Sequence, residues 1–208
     1  MGYNVSNYSK GEIDKYFHRS CSNPAGMWDE NFAIFNVPVI KGKFLGIAEL
    51  FNLRPGHLVL DWGAGCGHAI DFLAAERGFD AVAIDLVSSN VEWGLQHLRH
   101  LSAFCQADGA ILPFWANTFD AVLSNGALLH VNGERAQCAA LREVLRVLHP
   151  GGCAWFGING DYDGMLGALP EYWTGKDGCF KAEPDVIVET FFETDLFGTF
   201  EYQRRPFM

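Results

Sequence analysis

Three glycines at alternate positions, Gly63, Gly65 and Gly67, follow an apolar run that ends in Asp61. Glycine lets the backbone turn sharply and lets its N–H groups approach a ligand closely, because no Cβ atom intervenes. A glycine turn between a buried strand and a helix is typical of sites that hold a nucleotide-like cofactor at the helix N-terminus. The spacing therefore predicts that this segment binds a cofactor.

The spacing of these glycines also bears on the identity of the cofactor. A dinucleotide-binding turn follows the pattern G-x-G-x-x-G, but His68 stands where that pattern needs its last glycine. The turn is therefore poorly suited to the pyrophosphate of NAD or NADP, and the spacing favours a different nucleotide-like cofactor.

The elements that must position this turn are predicted from hydrophobic periodicity. Short apolar runs alternate with helical patterns, which is typical of parallel strands joined by crossover helices. One helix is predicted over 133–148, with an apolar stripe made of Leu141, Val144, Leu145 and Leu148. The apolar runs predict strands at 57–62, 81–85, 102–107, 119–124 and 153–158.

A second crossover helix is predicted over 88–101. Ser89 and Glu92 match the S-x-x-E capping box that often begins a helix. The buried face of this helix would consist of Val91, Leu95 and Leu98.

The two ends of the chain have patterns of their own. Residues 8–52 are predicted to be mostly helical and are rich in aromatic side chains. Two β-rich stretches around Gly198 predict a terminal hairpin that is added antiparallel to the sheet.

The segment from Asp61 to Gly67, directly after a strand, resembles motif I of the class I S-adenosylmethionine (SAM) dependent methyltransferases. The segment FDAVLSNGALLHV resembles the fourth motif of that family, and LREVLRVLHPGG resembles its late helix and turn. The resemblance covers about residues 56–160, with the motifs in the family's order. It implies an α/β, Rossmann-like three-layer sandwich with a mostly parallel seven-stranded sheet and an antiparallel C-terminal hairpin strand.

The resemblance also implies how the chain is organised. We expect one methyltransferase domain over 1–208, with no linker that divides it. Within it, 1–52 would form a helical N-terminal lid or cap segment and 53–160 the SAM-binding core. The remaining residues, 161–208, would form a substrate loop and the C-terminal β-hairpin.

Individual residues acquire roles from the same resemblance. Asp85 would accept hydrogen bonds from both ribose hydroxyls, since an ionised acceptor suits two vicinal donors. Asp108 would lie near the adenine amino group, and Asn125 would line the cofactor. The predicted cofactor-binding residues are Asp61, Gly63, Ala64, Gly65, Gly67, Asp85, Leu86, Asp108, Gly109, Asn125 and Gly126.

The resemblance also implies that His130 lies beside the opening of the site where the methyl group is transferred. A histidine can take a proton from an acceptor near neutral pH, so His130 is the candidate general base. The alternative is that it only caps or packs. Predicted contacts to the acceptor are Tyr16, Trp28, Asp161 and Tyr162.

Composition bears on partners and on location. The chain has 25 acidic and 15 basic residues, a formal net charge of −10, which disfavours a nucleic-acid partner. It has no signal-like apolar core and no run of about 18 apolar residues, so we expect no membrane span and a cytoplasmic protein. The six cysteines form no C-x-x-C pair or cluster with histidine, so we expect reduced thiols, no disulfide framework and no metal site.

Three functional hypotheses stay open at this point. The first is a methyltransferase that uses SAM, releases S-adenosylhomocysteine and methylates an oxygen or nitrogen atom of a small molecule or of a protein side chain. The second is a nicotinamide-dependent oxidoreductase on a related sheet, which the glycine spacing disfavours. The third is a catalytically silent SAM-binding or interaction subunit. The acceptor, the oligomeric state and acylation of Gly2 are left open by the sequence.

Overall fold

The computed structural model describes residues 21, 38–131, 134–157, 187–193 and 200–206. The helices are α1 (Pro38–Leu50), α2 (His68–Arg77), α3 (Ser88–His97) and α4 (Glu134–Val147), with a short 3₁₀ turn at Leu128–His130. The strands are β1 (Leu58–Trp62), β2 (Asp80–Asp85), β3 (Leu101–Gln106), β4 (Phe119–Asn125), β5 (Leu148–Gly157), β6 (Ile187–Glu193) and β7 (Phe200–Pro206). None of these helices is both long and apolar enough to span a membrane.

Five of the strands form a parallel sheet in the order β3-β2-β1-β4-β5. The central strand, β1, is a nearly continuous apolar run, as expected for a parallel strand that is covered on both faces. Its register places Trp62 opposite Ile84 of β2 and Asp61 opposite Leu123 of β4. The carboxyl ends of the strands therefore meet at one edge of the sheet, where the glycine turn lies.

Helices pack on both faces of this sheet. Val59 belongs to a buried cluster that includes residues of α1 and α2, whereas the next residue, Leu60, belongs to a second cluster that includes residues of α4. This division follows from the alternation of side chains along a strand. The result is the three-layer, Rossmann-like α/β arrangement expected from the sequence.

The late helix is close to its prediction, while the second crossover helix differs from it. Leu141 and Val144 of α4 are buried, and the helix ends at Val147, so that Leu148 belongs to β5. The prediction of a capping box at Ser89 and Glu92 was wrong. The helix α3 begins one residue earlier, at Ser88, and its N-cap residue, Val87, makes no side-chain capping hydrogen bond.

The buried face of α3 also differs from the predicted one. Leu95 is 61% exposed, and α3 ends at His97, so Leu98 lies beyond the helix. The buried residues are instead Asn90, Val91 and Gly94. The physical reason is a close approach at Gly94, where a Cβ atom would collide with the ring of Phe104 on β3.

The predicted seven-stranded sheet was wrong for the strands that are described. β6 and β7 form a separate two-stranded antiparallel sheet, with Ile187 opposite Pro206, so the hairpin itself is confirmed. β6 lies near β5, but among the strands that the structure describes no pairing connects the two sheets. A hairpin needs only a short connection between its own strands, whereas joining the larger sheet requires a continuous ladder with β5.

Candidate functional site

The glycine loop, residues 63–67, connects β1 to α2. Its φ angles are 75° at Gly63, 57° at Gly65 and 81° at Gly67. These values lie in the left-handed region, which residues with a Cβ atom rarely adopt. A Cβ atom at Gly63 would in addition meet the side chain of Ala127. The loop therefore depends on glycine both for its backbone conformation and for the room that it leaves.

Hydrogen bonds attach this loop to the end of β2. The backbone N–H groups of Gly63 and Ala64 both donate to the carbonyl of Ile84, at 3.0 and 2.9 Å. The N–H of Gly65 donates to Oδ2 of Asp85 at 2.8 Å. The loop and the acid predicted to hold the ribose thus form one hydrogen-bonded unit.

The other carboxylate oxygen of Asp85 is also held by the protein. Oδ1 accepts hydrogen bonds from the Val87 N–H at 2.9 Å and from Nδ2 of Asn90 at 3.4 Å. Asn90 is almost fully buried. Sequence reasoning missed Asn90, because a lone asparagine inside a predicted helix usually faces solvent. The neighbouring Leu86 is joined to the next strand, since its carbonyl accepts a hydrogen bond from Gln106 at 3.0 Å.

Asp108 and Gly109 lie in the segment that follows β3. Asp108 is exposed, and its Oδ1 accepts a hydrogen bond from the Ala110 N–H at 2.9 Å. The Gly109 carbonyl accepts a hydrogen bond from the indole N–H of Trp62 at 3.1 Å, and a Cβ atom at Gly109 would collide with that indole ring. Trp62, the last residue of β1, therefore positions this segment beside the glycine loop.

A pair of α4 side chains, Glu143 and Arg146, holds the continuation of that segment. Glu143 accepts a hydrogen bond from the Leu112 N–H at 2.8 Å, and Arg146 donates to the carbonyls of Leu112 and Phe114 at 3.1 and 2.8 Å. The two side chains form an ion pair with an N···O distance of 2.7 Å. The hydrogen bond from Arg146 holds the pKa of the Glu143 carboxyl below its ordinary value.

Asn125 and Gly126 lie at the carboxyl end of β4. Gly126 has a φ of 72°, and its N–H donates to the carbonyl of Gly157 at 2.9 Å, which joins the ends of β4 and β5. Nζ of Lys43, on α1, donates to Oδ1 of Asn125 at 3.4 Å. It also lies 5.4 Å from the ring centroid of Trp155. Lys43 is only 8% exposed, so α1 brings a buried cation to this end of the sheet.

Two further predicted residues have positions in the described structure. His130 ends the 3₁₀ turn after β4, is half-buried, and donates its backbone N–H to the carbonyl of Ala127 at 3.0 Å. Asp61 is buried inside β1, one residue before the strand ends. Four predicted residues, Tyr16, Trp28, Asp161 and Tyr162, lie outside the described residues.

The expectation of reduced thiols without disulfides was wrong. Cys66, between two glycines of the loop, forms a disulfide with Cys21, and Cys138 is also disulfide-bonded. The carbonyl of Cys21 lies 3.2 Å from Nε2 of the buried His68. The two linked cysteines are 45 residues apart, so their pairing left no local pattern in the sequence.

Comparison with known proteins agrees with this geometry. Residues 60–156 match the family described as a methyltransferase domain. A ubiquinone/menaquinone biosynthesis C-methyltransferase of Pasteurella multocida is 34% identical over 156 residues, which cover 69% of this chain and 55% of that protein. Phosphoethanolamine N-methyltransferase 3 of Arabidopsis thaliana is 32% identical over 107 residues, 50% of this chain and 21% of that protein.

A solved structure shares the fold. The TehB-like SAM-dependent methyltransferase of Corynebacterium glutamicum superimposes with a TM-score of 0.54 at 21% identity, covering 68% of this chain and 78% of that one. The chain spans little more than half of the Pasteurella protein and about a fifth of the Arabidopsis protein. Residues 60–156, which include most of β1, the glycine loop and the acid at the end of β2, therefore match a methyltransferase domain, and the fold around them is that of the class I SAM-dependent methyltransferases.

Proposed function

We propose that this chain transfers a methyl group from SAM to an oxygen or nitrogen atom of a small-molecule acceptor. The observation that carries the proposal is the hydrogen bond from the Gly65 N–H to Asp85 at 2.8 Å. It joins the glycine loop and the carboxylate at the edge where the strands end, which is where α/β sheets of this kind bind their ligands.

The residues at this edge fit an adenosyl cofactor. The loop glycines carry no Cβ atoms, so a ligand can approach the loop backbone closely, and the N-terminus of α2 follows directly. Asp85 offers carboxylate oxygens to ribose hydroxyls, while Asp108 and Gly109 follow the neighbouring strand. Asn125 and Gly126 would lie toward the methionine end, beside Lys43. The loop glycines, Asp85, Leu86, Asp108, Gly109, Asn125 and Gly126 are thus the proposed cofactor contacts.

SAM, when bound, supplies a methyl group on a sulfonium that is already electrophilic. The work left for the protein is to align the acceptor atom, exclude water and, for an acceptor that carries a proton, remove it. His130 is the proposed base for that proton, because its turn follows the strand that carries Asn125. An acceptor that is already anionic would need no base.

The net charge of the chain and the names of two relatives both bear on the class of acceptor. The net charge of −10 disfavours a polyanionic acceptor such as nucleic acid. One relative is named as a C-methyltransferase of ubiquinone/menaquinone biosynthesis and the other as a phosphoethanolamine N-methyltransferase. Both names concern small molecules, and the second agrees with a nitrogen acceptor. A small molecule is therefore favoured over a protein side chain, the second candidate.

The experiment is incubation of the purified chain with SAM labelled in its methyl group, together with a metabolite extract in one reaction and a protein extract in another. We expect the label to appear in a small molecule and not in protein. Label in protein bands would favour the side-chain alternative. SAM binding without any transfer would favour the catalytically silent subunit. The Asp85→Ala variant, run in parallel, measures transfer that does not depend on the proposed site.

A further inference from the structure

The disulfide between Cys21 and Cys66 joins a distant part of the chain to the glycine loop. Cys66 lies between Gly65, which is hydrogen-bonded to Asp85, and Gly67, which precedes α2. Cys21 lies 45 residues earlier in the sequence, with the two Cα atoms 5.6 Å apart. A covalent bond therefore holds residue 21 against the loop.

The described contacts of Cys21 converge on the surroundings of Asp85. Its carbonyl lies 3.2 Å from Nε2 of His68, the first residue of α2. Its sulfur lies 3.8 Å from Oδ1 of Asn90, whose Nδ2 donates to Asp85. The disulfide thus restrains two neighbours of the proposed ribose site as well as the loop itself.

We propose that this disulfide is a redox-sensitive strap, in which the oxidised form of Cys21 and Cys66 favours SAM binding and the reduced form weakens it. The proposal rests on the assignment of SAM to this site.

The exchange step involves a dithiol reductant. Cys21 is 8% and Cys66 2% exposed, so the reductant reaches the bond only when this part of the chain opens locally. One thiolate of the reductant then attacks a sulfur of the Cys21–Cys66 bond, forming a mixed disulfide and releasing the other cysteine as a thiolate. The second thiol of the reductant then closes its own disulfide and releases the remaining cysteine. Two electrons and two protons pass in total from the dithiol to the pair of cysteines.

When the bond opens, residue 21 is no longer covalently attached to the loop, and its contacts to His68 and Asn90 are non-covalent. A loop that is less restrained must be ordered when a ligand binds, and this ordering lowers affinity. Typical coupling between two sites changes affinity by about 5- to 150-fold. We expect a value near the low end, about tenfold, because the loop keeps its own hydrogen bonds to Ile84 and Asp85.

Coupling is reciprocal, which permits a test on the unaltered protein. The purified chain is equilibrated in buffers of graded dithiol-to-disulfide ratio, with and without S-adenosylhomocysteine. Its thiols are then trapped, and the peptide that contains Cys66 is followed by mass spectrometry, so that reduction at Cys138 is scored separately. A tenfold preference for the oxidised form would shift the midpoint for Cys66 by about 30 mV toward more reducing conditions.

Variants supply the second arm of the test. The affinity for S-adenosylhomocysteine is measured by calorimetry with and without dithiol. Cys21→Ser is expected to bind about tenfold more weakly than the oxidised protein and to be insensitive to the dithiol. Cys105→Ser, which removes a free thiol on β3, is the matched control and should behave like the unaltered chain.

The outcomes separate this proposal from the assignment of the cofactor. If S-adenosylhomocysteine binds the oxidised protein but leaves the Cys66 midpoint unchanged, the strap is overturned while the cofactor assignment stands. If it does not bind the oxidised protein at all, both are overturned. Should Cys21→Ser not fold, the midpoint shift in the unaltered chain still decides the question.

Discussion

The carboxylate of Asp85 accepts a hydrogen bond from the backbone N–H of Gly65 at 2.8 Å. The side chain proposed to recognise the ribose therefore also fixes the shape of the loop that would approach the rest of the cofactor. Its second oxygen is held by Val87 and Asn90. Replacing this acid should consequently affect both binding and stability.

We predict that Asp85→Ala weakens binding of S-adenosylhomocysteine by about ten- to a hundredfold, as expected when hydrogen bonds to a charged group are lost. The free energy of unfolding should fall by about 1–3 kcal/mol, because buried partners lose their acceptor. Calorimetry and chemical denaturation measure the two effects. Asp80→Ala, at the opposite end of β2, is the matched control and should retain affinity. A folded Asp85→Ala protein with unaltered affinity would mean that the ribose is held elsewhere.

Gly63→Ala tests the fit of the glycine loop. Alanine at a φ of 75° is strained, and its Cβ would also meet Ala127. Gly56→Ala is the matched control, since Gly56 has a φ of 91° but open space around the Cβ position. We expect Gly63→Ala to lower the free energy of unfolding by about 1–3 kcal/mol more than Gly56→Ala does, in chemical denaturation. Equal losses would show that the contact with Ala127 relaxes without cost.

His130→Ala distinguishes a base from a capping or packing residue. If His130 takes the acceptor's proton, the variant should retain its affinity for S-adenosylhomocysteine while kcat falls by about 10²–10⁴. Single-turnover methyl transfer, measured alongside the unfolding midpoint, separates the two roles. His149→Ala, an exposed histidine at the opposite end of the sheet, should match the unaltered chain. A less stable His130→Ala protein with normal turnover per folded molecule would show that His130 is not the general base.

Glu143→Gln tests the Glu143–Arg146 ion pair, which is hydrogen-bonded to the backbone of Leu112 and Phe114. The pKa of Glu143 is lowered by its hydrogen bond from Arg146, so its contribution to stability is present above the ordinary pKa of 4.5. That contribution is lost as the pH falls through the lowered pKa of the folded state. We therefore expect the variant to be less stable than the unaltered chain at pH 7 and the difference to shrink below pH 4.5. Denaturation midpoints of both proteins, measured from pH 7 to below pH 4.5, give this difference in stability. A difference that does not change with pH would contradict a stabilising role of the ionised Glu143 carboxylate.

The parts of the fold that were predicted correctly are those with a local signal. The run that forms β1 is apolar except for Asp61, and the glycines that follow it permit the positive φ angles that the tight turn requires. The stripe of α4 likewise repeats at the period of a helix, and Leu141 and Val144 are buried as expected. Asp85 could be placed at the end of β2 because the apolar run of that strand stops there.

The features that were missed depend on residues far apart in the chain. Lys43 meets Asn125 across 82 positions, and no local pattern marks that contact. The disulfide of Cys66 spans 45 residues, and neither cysteine belongs to a recognisable pair. The face of α3 that is buried is decided by the close approach of Phe104 to Gly94, a tertiary contact that outweighs the apolar character of Leu95.

Calorimetric titration of the oxidised chain with S-adenosylhomocysteine and, separately, with NADH is the most direct test of a SAM site at the glycine loop. S-adenosylhomocysteine is expected to bind and to raise the melting temperature, as a ligand selective for the native state must. NADH should do neither, because His68 stands where a dinucleotide turn needs glycine. Binding of NADH together with no detectable binding of S-adenosylhomocysteine would contradict the assignment.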